Sequence, residues 1–276
     1  MSQNIVVVIE PLDISVDGNM MTSALRGIPC ADRTVINVDY PAALDDANRT
    51  LAEGTAGGPI SIGVAALDSI LRTSPVSDST DVLVFAYSIG AQVASAWLRL
   101  HANDIGAPDP RYVSFLLIGN PERKYGGIPA ASSPDLAAIT PNNTAYAVQD
   151  LKIQYDGWAD WPTQLPRPNV QSTQNAMQGI HTTHVTDYMI RSLGEATMFY
   201  TENTTVYAMI PNDLPMFDGY RKAGQQILAD KLQAQYQPLI ETQYIRPETL
   251  QGVLAPRGRV MSAASRRPAH TMIRRR

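Results

Sequence analysis

The chain has 276 residues, of which 44% are hydrophobic and 17% charged, with one cysteine, four histidines and a formal net charge of -4. That is enough chain for one generous globular domain, or one domain with an appendage. The lone Cys30 excludes an intramolecular disulfide framework and any cysteine-cluster metal site. The charge is uneven, because residues 246–276 hold eight Lys/Arg against Glu248 alone, while residues 1–245 carry 14 basic and 25 acidic groups. This divides the chain into an acidic body, 1–245, and a basic C-terminal tail, 246–276, read as a solvated segment or as an arm that docks on an acidic partner, a second copy of the body included. No apolar run reaches the roughly 20 residues of a membrane span, and MSQNIVVVIEP lacks the basic start of a signal peptide. The expectation is synthesis in the cytoplasm without a transmembrane segment.

Taken in chain order, NIVVVI (4–9), closed by Pro11, reads as a strand buried on both faces, and TVINVDYP (34–41) as a second. Ile60, Val64, Leu67, Ile70 and Leu71 recur at helical spacing. DVLVFAYS (81–88) predicts a third strand, followed at once by a helix carrying Ala91, Val93, Ala94, Trp97, Leu98 and Leu100. RYVSFLLIG (111–119) and a stretch within 145–156 predict two more strands, and 158–175, rich in Pro, Trp, Asn and Gln, reads as a long loop. Residues 197–210 predict a hairpin turning at Glu202–Asn203, with one or two helices after it. Strands alternating with helices argue for an α/β class with a mostly parallel sheet covered on both faces.

The chemistry concentrates at Ala86-Tyr87-Ser88-Ile89-Gly90. In a nucleophile elbow the serine occupies a strained strand-to-helix turn, and small residues two before and two after let the two backbones approach. A lone A-x-S-x-G is a weak signal, but here it ends an apolar strand and opens a helix, and Ile89 N–H would serve as one oxyanion donor. A serine nucleophile needs a base and an orienting carboxylate, in the order Ser, acid, His on this kind of scaffold. Asp156 and Asp160 follow the fifth strand in QYDGWADWP, and His181 and His184 follow in GIHTTHVTDY. Asp160, framed by Gly157 and Pro162, is the preferred acid with Asp156 as alternative, and His184 is preferred to His181. Trp158 and Trp161 are candidates for an apolar substrate rim or for packing beneath the loop. His101 and His270 are poor candidates, on the helix behind the elbow and in the basic tail. The sequence has no Cys pair, no H-E-x-x-H and no G-x-G-x-x-G after a strand, so neither metal nor cofactor is expected.

DYPAAL (39–44), AYSIGAQVA, LIGNPERKYGGI (117–128), YDGWADWPTQLPRPN (155–169), NAMQGIHTTHVTDY (175–188) and DLPMFDGYRKAGQQILADKLQAQYQPLIETQY (213–244) together resemble the PE-PPE domain of mycobacterial proteins. That domain is a serine hydrolase akin to cutinases and to the lysin B esterases of mycobacteriophages. The resemblance implies a cutinase-like α/β-hydrolase that cleaves fatty or mycolic acyl esters, with Ser88 as nucleophile, Asp160 as acid and His184 as base, and with Gly119-Asn120-Pro121 shaping the loop behind the elbow. Two departures stand out. The tyrosine expected three residues after the histidine lies four on, at Tyr188, and the first strand ends Glu10-Pro11, where a Gly-rich oxyanion segment is usual. Pro11 has no N–H to offer and Glu10 brings negative charge, which predicts a slow enzyme or a retired one. A second expectation is therefore a structural or host-binding subunit of a phage virion, built on a hydrolase scaffold and assembling through the basic tail. Nucleic-acid binding is not expected, since the body is acidic and the tail has no aromatic residue for stacking.

Overall fold

The computed structural model describes residues 3–12, 20–42, 57–74, 80–128, 138–163 and 168–250. Its centre is a seven-stranded sheet in the order β2-β1-β3-β4-β5-β7-β6. The strands are β1 (Gln3–Ile9), β2 (Thr34–Asn37), β3 (Thr80–Tyr87), β4 (Val113–Ile118), β5 (Ala147–Ile153), β6 (Met198–Glu202) and β7 (Thr205–Ile210). Every neighbouring pair is parallel except β6/β7, an antiparallel hairpin. The mostly parallel α/β class expected from the alternation of elements is the one observed.

Because side chains alternate across a strand, the continuous β-branched run of β1 serves two cores. Ile5, Val7 and Ile9 join a cluster with residues of α2 (Pro59–Thr73) and α3 (Ile89–Leu100), while Val6 and Val8 join the opposite one with Tyr87, Leu151 and Tyr188. The second cluster is closed by α1 (Met20–Ser23) and the turns after it, where Leu25, Arg26 and Gly27 all have positive φ and Leu25 is fully buried.

Two local readings need correction. The stretch 158–175 is not all loop: α4 (Val170–His181) begins inside it, capped by the Asn169 side chain accepting Ser172 N–H at 2.8 Å. Its polar run QSTQNAMQG hid a helix whose order comes from the cap and from tertiary packing rather than from an apolar stripe. The hairpin turns at Asn203–Thr204, one residue later than expected, with Asn203 at φ 52°. The first five residues of the expected tail, 246–250, are also described. Two helices, α6 (Asp218–Lys222) and α7 (Gln226–Glu241), follow a short α5 (Tyr188–Ile190), and α8 (Pro247–Leu250) then returns to the sheet with Arg246 and Glu248 buried. Residues 251–276, which include His270, lie outside the described residues. Among the described residues no helix is long and apolar enough to cross a membrane.

Strand order reverses between β1 and β3, since β2 lies to one side of β1 and β3 to the other. In open α/β sheets the crevice beyond the carboxyl ends of the strands at such a reversal is where ligands bind, and β3 delivers Ser88 there.

Candidate active site

Ser88 sits between β3 and α3 at φ 56° and ψ -120°, a conformation rarely adopted by a residue with a side chain. Such strain costs on the order of 1–3 kcal/mol and persists only where surroundings enforce it. Here Ser88 N–H is tied to Ile118 O at 3.1 Å, and α3 starts so close to β1 that a Cβ on Gly90 would lie 2.3 Å from Ile9 O and 2.8 Å from Glu10 O. Glycine at position 90 is thus a steric requirement, while alanine at 86 is tolerated inside the strand. Ile89 is the first residue of α3, so its N–H has no intrahelical acceptor and lies at the positive end of the helix.

The serine hydroxyl meets His184, with Oγ to Nε2 at 2.9 Å. The other ring nitrogen, Nδ1, lies 2.9 Å from Asp156 Oδ1 and 3.0 Å from Oδ2. His184 is therefore the histidine at the serine, whereas His181 ends α4 in an exposed position. Gly119 makes room for the imidazole: at φ +52°, a Cβ there would stand 3.0 Å from His184 Cε1 and 2.8 Å from Tyr87 Cε2. Beside it, Asn120 is buried and ties Thr140 to Asp150, which keeps the β4 loop in shape away from the serine.

The preferred acid, Asp160, is displaced by the alternative. Asp160 faces away from His184, because its carboxylate is claimed by cations from distant parts of the chain. Arg246 Nε lies 3.1 Å from both oxygens, and Lys152 Nζ lies 2.9 Å from Oδ1, with all three side chains buried. Burial alone would raise the Asp160 carboxyl, but Arg246 and Lys152 outweigh it and hold it well below the usual carboxylate range. The cluster continues through Glu248, 2.9 Å from both Lys152 and Arg123, and through Asp150, 2.6 Å from Arg123. Asp160 also braces the acid loop, accepting Tyr155 N–H at 2.8 Å through Oδ2. Asp156, one turn earlier, is left facing the imidazole.

Asp156 is itself well held. Its Oδ1 accepts Trp158 N–H at 2.9 Å and Ala159 N–H at 3.4 Å, and its Oδ2 accepts the Tyr188 hydroxyl at 2.8 Å. The departure in spacing noted for Tyr188 has a local cause, because Thr183–Asp187 form a π-helical turn. In an α-helix, residues four apart are about 40° past eclipsed, and the wider π turn rotates the second one back towards the side that a residue three on would hold in an α-helix. The extra residue therefore leaves His184 and Tyr188 both directed at Asp156, and π turns of this kind recur at functional sites.

Of the two candidate rim residues, Trp158 stands with its ring centroid 6.4 Å from that of His184, partly exposed beside the serine–histidine pair. Trp161 is partly exposed too, and its backbone N–H bonds to Gly126 O. Glu10, the negative charge at the end of β1, is turned towards the start of α1, where its carboxylate oxygens accept Met21 N–H at 3.2 and 3.3 Å. No group of three or more His, Cys, Asp or Glu able to hold a metal ion occurs among the described residues.

With this geometry in place, similarity can be weighed. The PE-PPE domain model matches residues 31–245. The chain belongs to the PE-PPE domain family. It is 33% identical over 187 residues to Esterase PE16 of Mycobacterium tuberculosis, covering 62% of this chain and 35% of that protein. It is 32% identical over 178 residues to PE family protein PE3 of the same organism, covering 59% and 37%. The chain thus spans about a third of the length of these two relatives. Among solved structures, a cutinase-like protein from Cryptococcus sp. is 16% identical with a TM-score of 0.41, over 69% of this chain and 96% of that one. One of these relatives is thus named an esterase, and the Ser88–His184–Asp156 geometry is read from this chain alone.

Proposed function

We propose that this PE-PPE protein is a serine esterase that cleaves carboxylic esters of fatty or mycolic acyl chains through an acyl-enzyme. The observation that carries the reading is the unbroken relay from Ser88 Oγ to His184 Nε2 and from Nδ1 to Asp156, each link at hydrogen-bond length. His184 takes the Ser88 proton as Oγ attacks the ester carbonyl, and Asp156 stabilises the imidazolium that forms. Ile89 N–H, at the positive end of α3, donates to the developing oxyanion. The imidazolium then gives its proton to the leaving alcohol, and water, deprotonated by the same histidine, releases the acid. Trp158 supplies an apolar wall beside the pair for the acyl chain.

Labelling with a fluorophosphonate probe, which reacts with activated serines, tests the reading. Wild type is expected to label, and Ser88→Ala and His184→Ala to lose both labelling and hydrolysis of p-nitrophenyl acyl esters. Retained hydrolysis in Ser88→Ala, or an unlabelled folded wild type, would refute it.

A second reading, a subunit of an assembly such as a phage particle, draws on charge alone. Residues 251–276 hold seven Arg and no acidic residue, against an acidic body. Light scattering on the full chain and on one ending at Leu250 separates the two, and a monomer in both cases sets this reading aside.

A further inference from the structure

The hydroxyl of Tyr188 has a fixed direction. It accepts Ile153 N–H at 3.1 Å, so its own proton goes to Asp156 Oδ2 at 2.8 Å. The side chain is fully buried, and its ring packs 5.1 Å from that of Tyr87. Tyr87 in turn donates its hydroxyl proton to the backbone carbonyl of His184 and lies 5.3 Å from the imidazole. One tyrosine therefore holds the acid and the other holds the base, and the two brace each other.

We infer that Tyr188 is a positioning residue for the relay, locking the Asp156 carboxylate on the imidazole and tempering its basicity by a permanent hydrogen bond to Oδ2. This rests on the esterase reading above and goes beyond it by assigning a fourth side chain to the machinery. Without Tyr188, Oδ2 would keep His184 Nδ1 as its partner among the described residues, and the fixed hydrogen bonds that aim the carboxylate would come to Oδ1 only, from Trp158 and Ala159 N–H. A carboxylate relieved of one donor is also a stronger base, which holds the imidazolium more tightly and removes the free base at higher pH. Burial, and then the Asp156 charge, keep the Tyr188 and Tyr87 hydroxyls well above the ordinary tyrosine range, so both remain protonated donors. The ionisable groups facing the pair are Asp156, His184 and Asp187. The π turn gives the inference its second support, since it is the local irregularity that lets a tyrosine four residues after the base reach the acid.

The test measures kcat and KM against pH for hydrolysis of a p-nitrophenyl acyl ester. Tyr188→Phe deletes one oxygen and is expected to lower kcat by about ten- to a hundredfold, the range for a hydrogen bond to a charged group. KM stays unchanged, and the acidic limb of the profile moves up by about half a pH unit or more. Tyr87→Phe loses a buried hydroxyl from the same cluster without touching the acid, and is expected to leave the acidic limb in place. Should Tyr188→Phe fold poorly for want of a partner for Ile153 N–H, site-specific incorporation of 3-fluorotyrosine at 188 keeps both hydrogen bonds. That hydroxyl is the stronger donor, and it is expected to move the limb to lower pH. A purely structural tyrosine would move the limb in neither variant, and a kcat within about twofold of wild type with an unmoved profile would overturn the inference while leaving the esterase reading intact. A wild type that neither labels nor hydrolyses ester would instead remove the reading on which it rests.

Discussion

Glu248 lies beyond the stretch that the family model matches, yet it is fully buried, with Oε1 2.9 Å from both Arg123 and Lys152. Glu248→Gln keeps the shape and removes the charge. Against the cost of burial, Lys152 and then Arg123 hold the Glu248 carboxyl down from 4.5 to about 2. At about 1.4 kcal/mol per pH unit this corresponds to about 3 kcal/mol of folding stability at neutral pH. The figure agrees with the roughly 3–5 kcal/mol typical of breaking one partner out of a buried ion pair. Because the folded-state value is depressed, the contribution is complete above the unfolded value of 4.5 and fades as pH falls towards 2. Urea unfolding followed by circular dichroism at pH 7 should show Glu248→Gln less stable by about 3 kcal/mol with an unchanged m value. The difference from wild type should then narrow between pH 4.5 and 2. A variant within about 0.5 kcal/mol of wild type at pH 7, the usual range for surface substitutions, would refute the docking of α8 and restore a body that ends before Arg246.

Three further outcomes follow from the same geometry. Asp156→Asn is expected to lower kcat on the order of 10⁴ with the fold retained, since the imidazole loses its orienting charge. Asp160→Asn leaves Arg246 and Lys152 short of a buried partner, and is expected to cost about 3–5 kcal/mol in urea while retaining most of its kcat where folded. The reverse pattern would return the catalytic acid to Asp160. Gly179→Ala would place a Cβ 1.9 Å from Tyr155 O, so α4 must part from the acid loop. Both melting temperature and kcat should fall, with a stability loss of about 1–3 kcal/mol or more, and an unchanged melting temperature would show that the two backbones are not in contact.

What the linear sequence determined is what depends on neighbours in the chain. The apolar run of β1 reads as a strand with two buried faces because side chains alternate by covalent geometry. The strand-to-helix turn at Ser88 is legible because its pattern, a serine between an alanine and a glycine after an apolar strand, is complete within five residues, 86–90. Tertiary structure decided between the two aspartates of one loop. Asp156 and Asp160 are four residues apart in similar local sequence, and Gly157 with Pro162 favours Asp160. Their roles separate only when β5 brings Lys152 beneath the loop and the chain returns 86 residues later with Arg246. A buried carboxylate stays ionised where cations surround it, so the one that meets two of them becomes an anchor and the other is left for the histidine. The same long-range pairing drew Arg246 and Glu248 out of a segment whose composition reads as a solvated tail. Charge counted along a chain carries no information about which charges will share a low-dielectric interior, and that partnership is created only by folding.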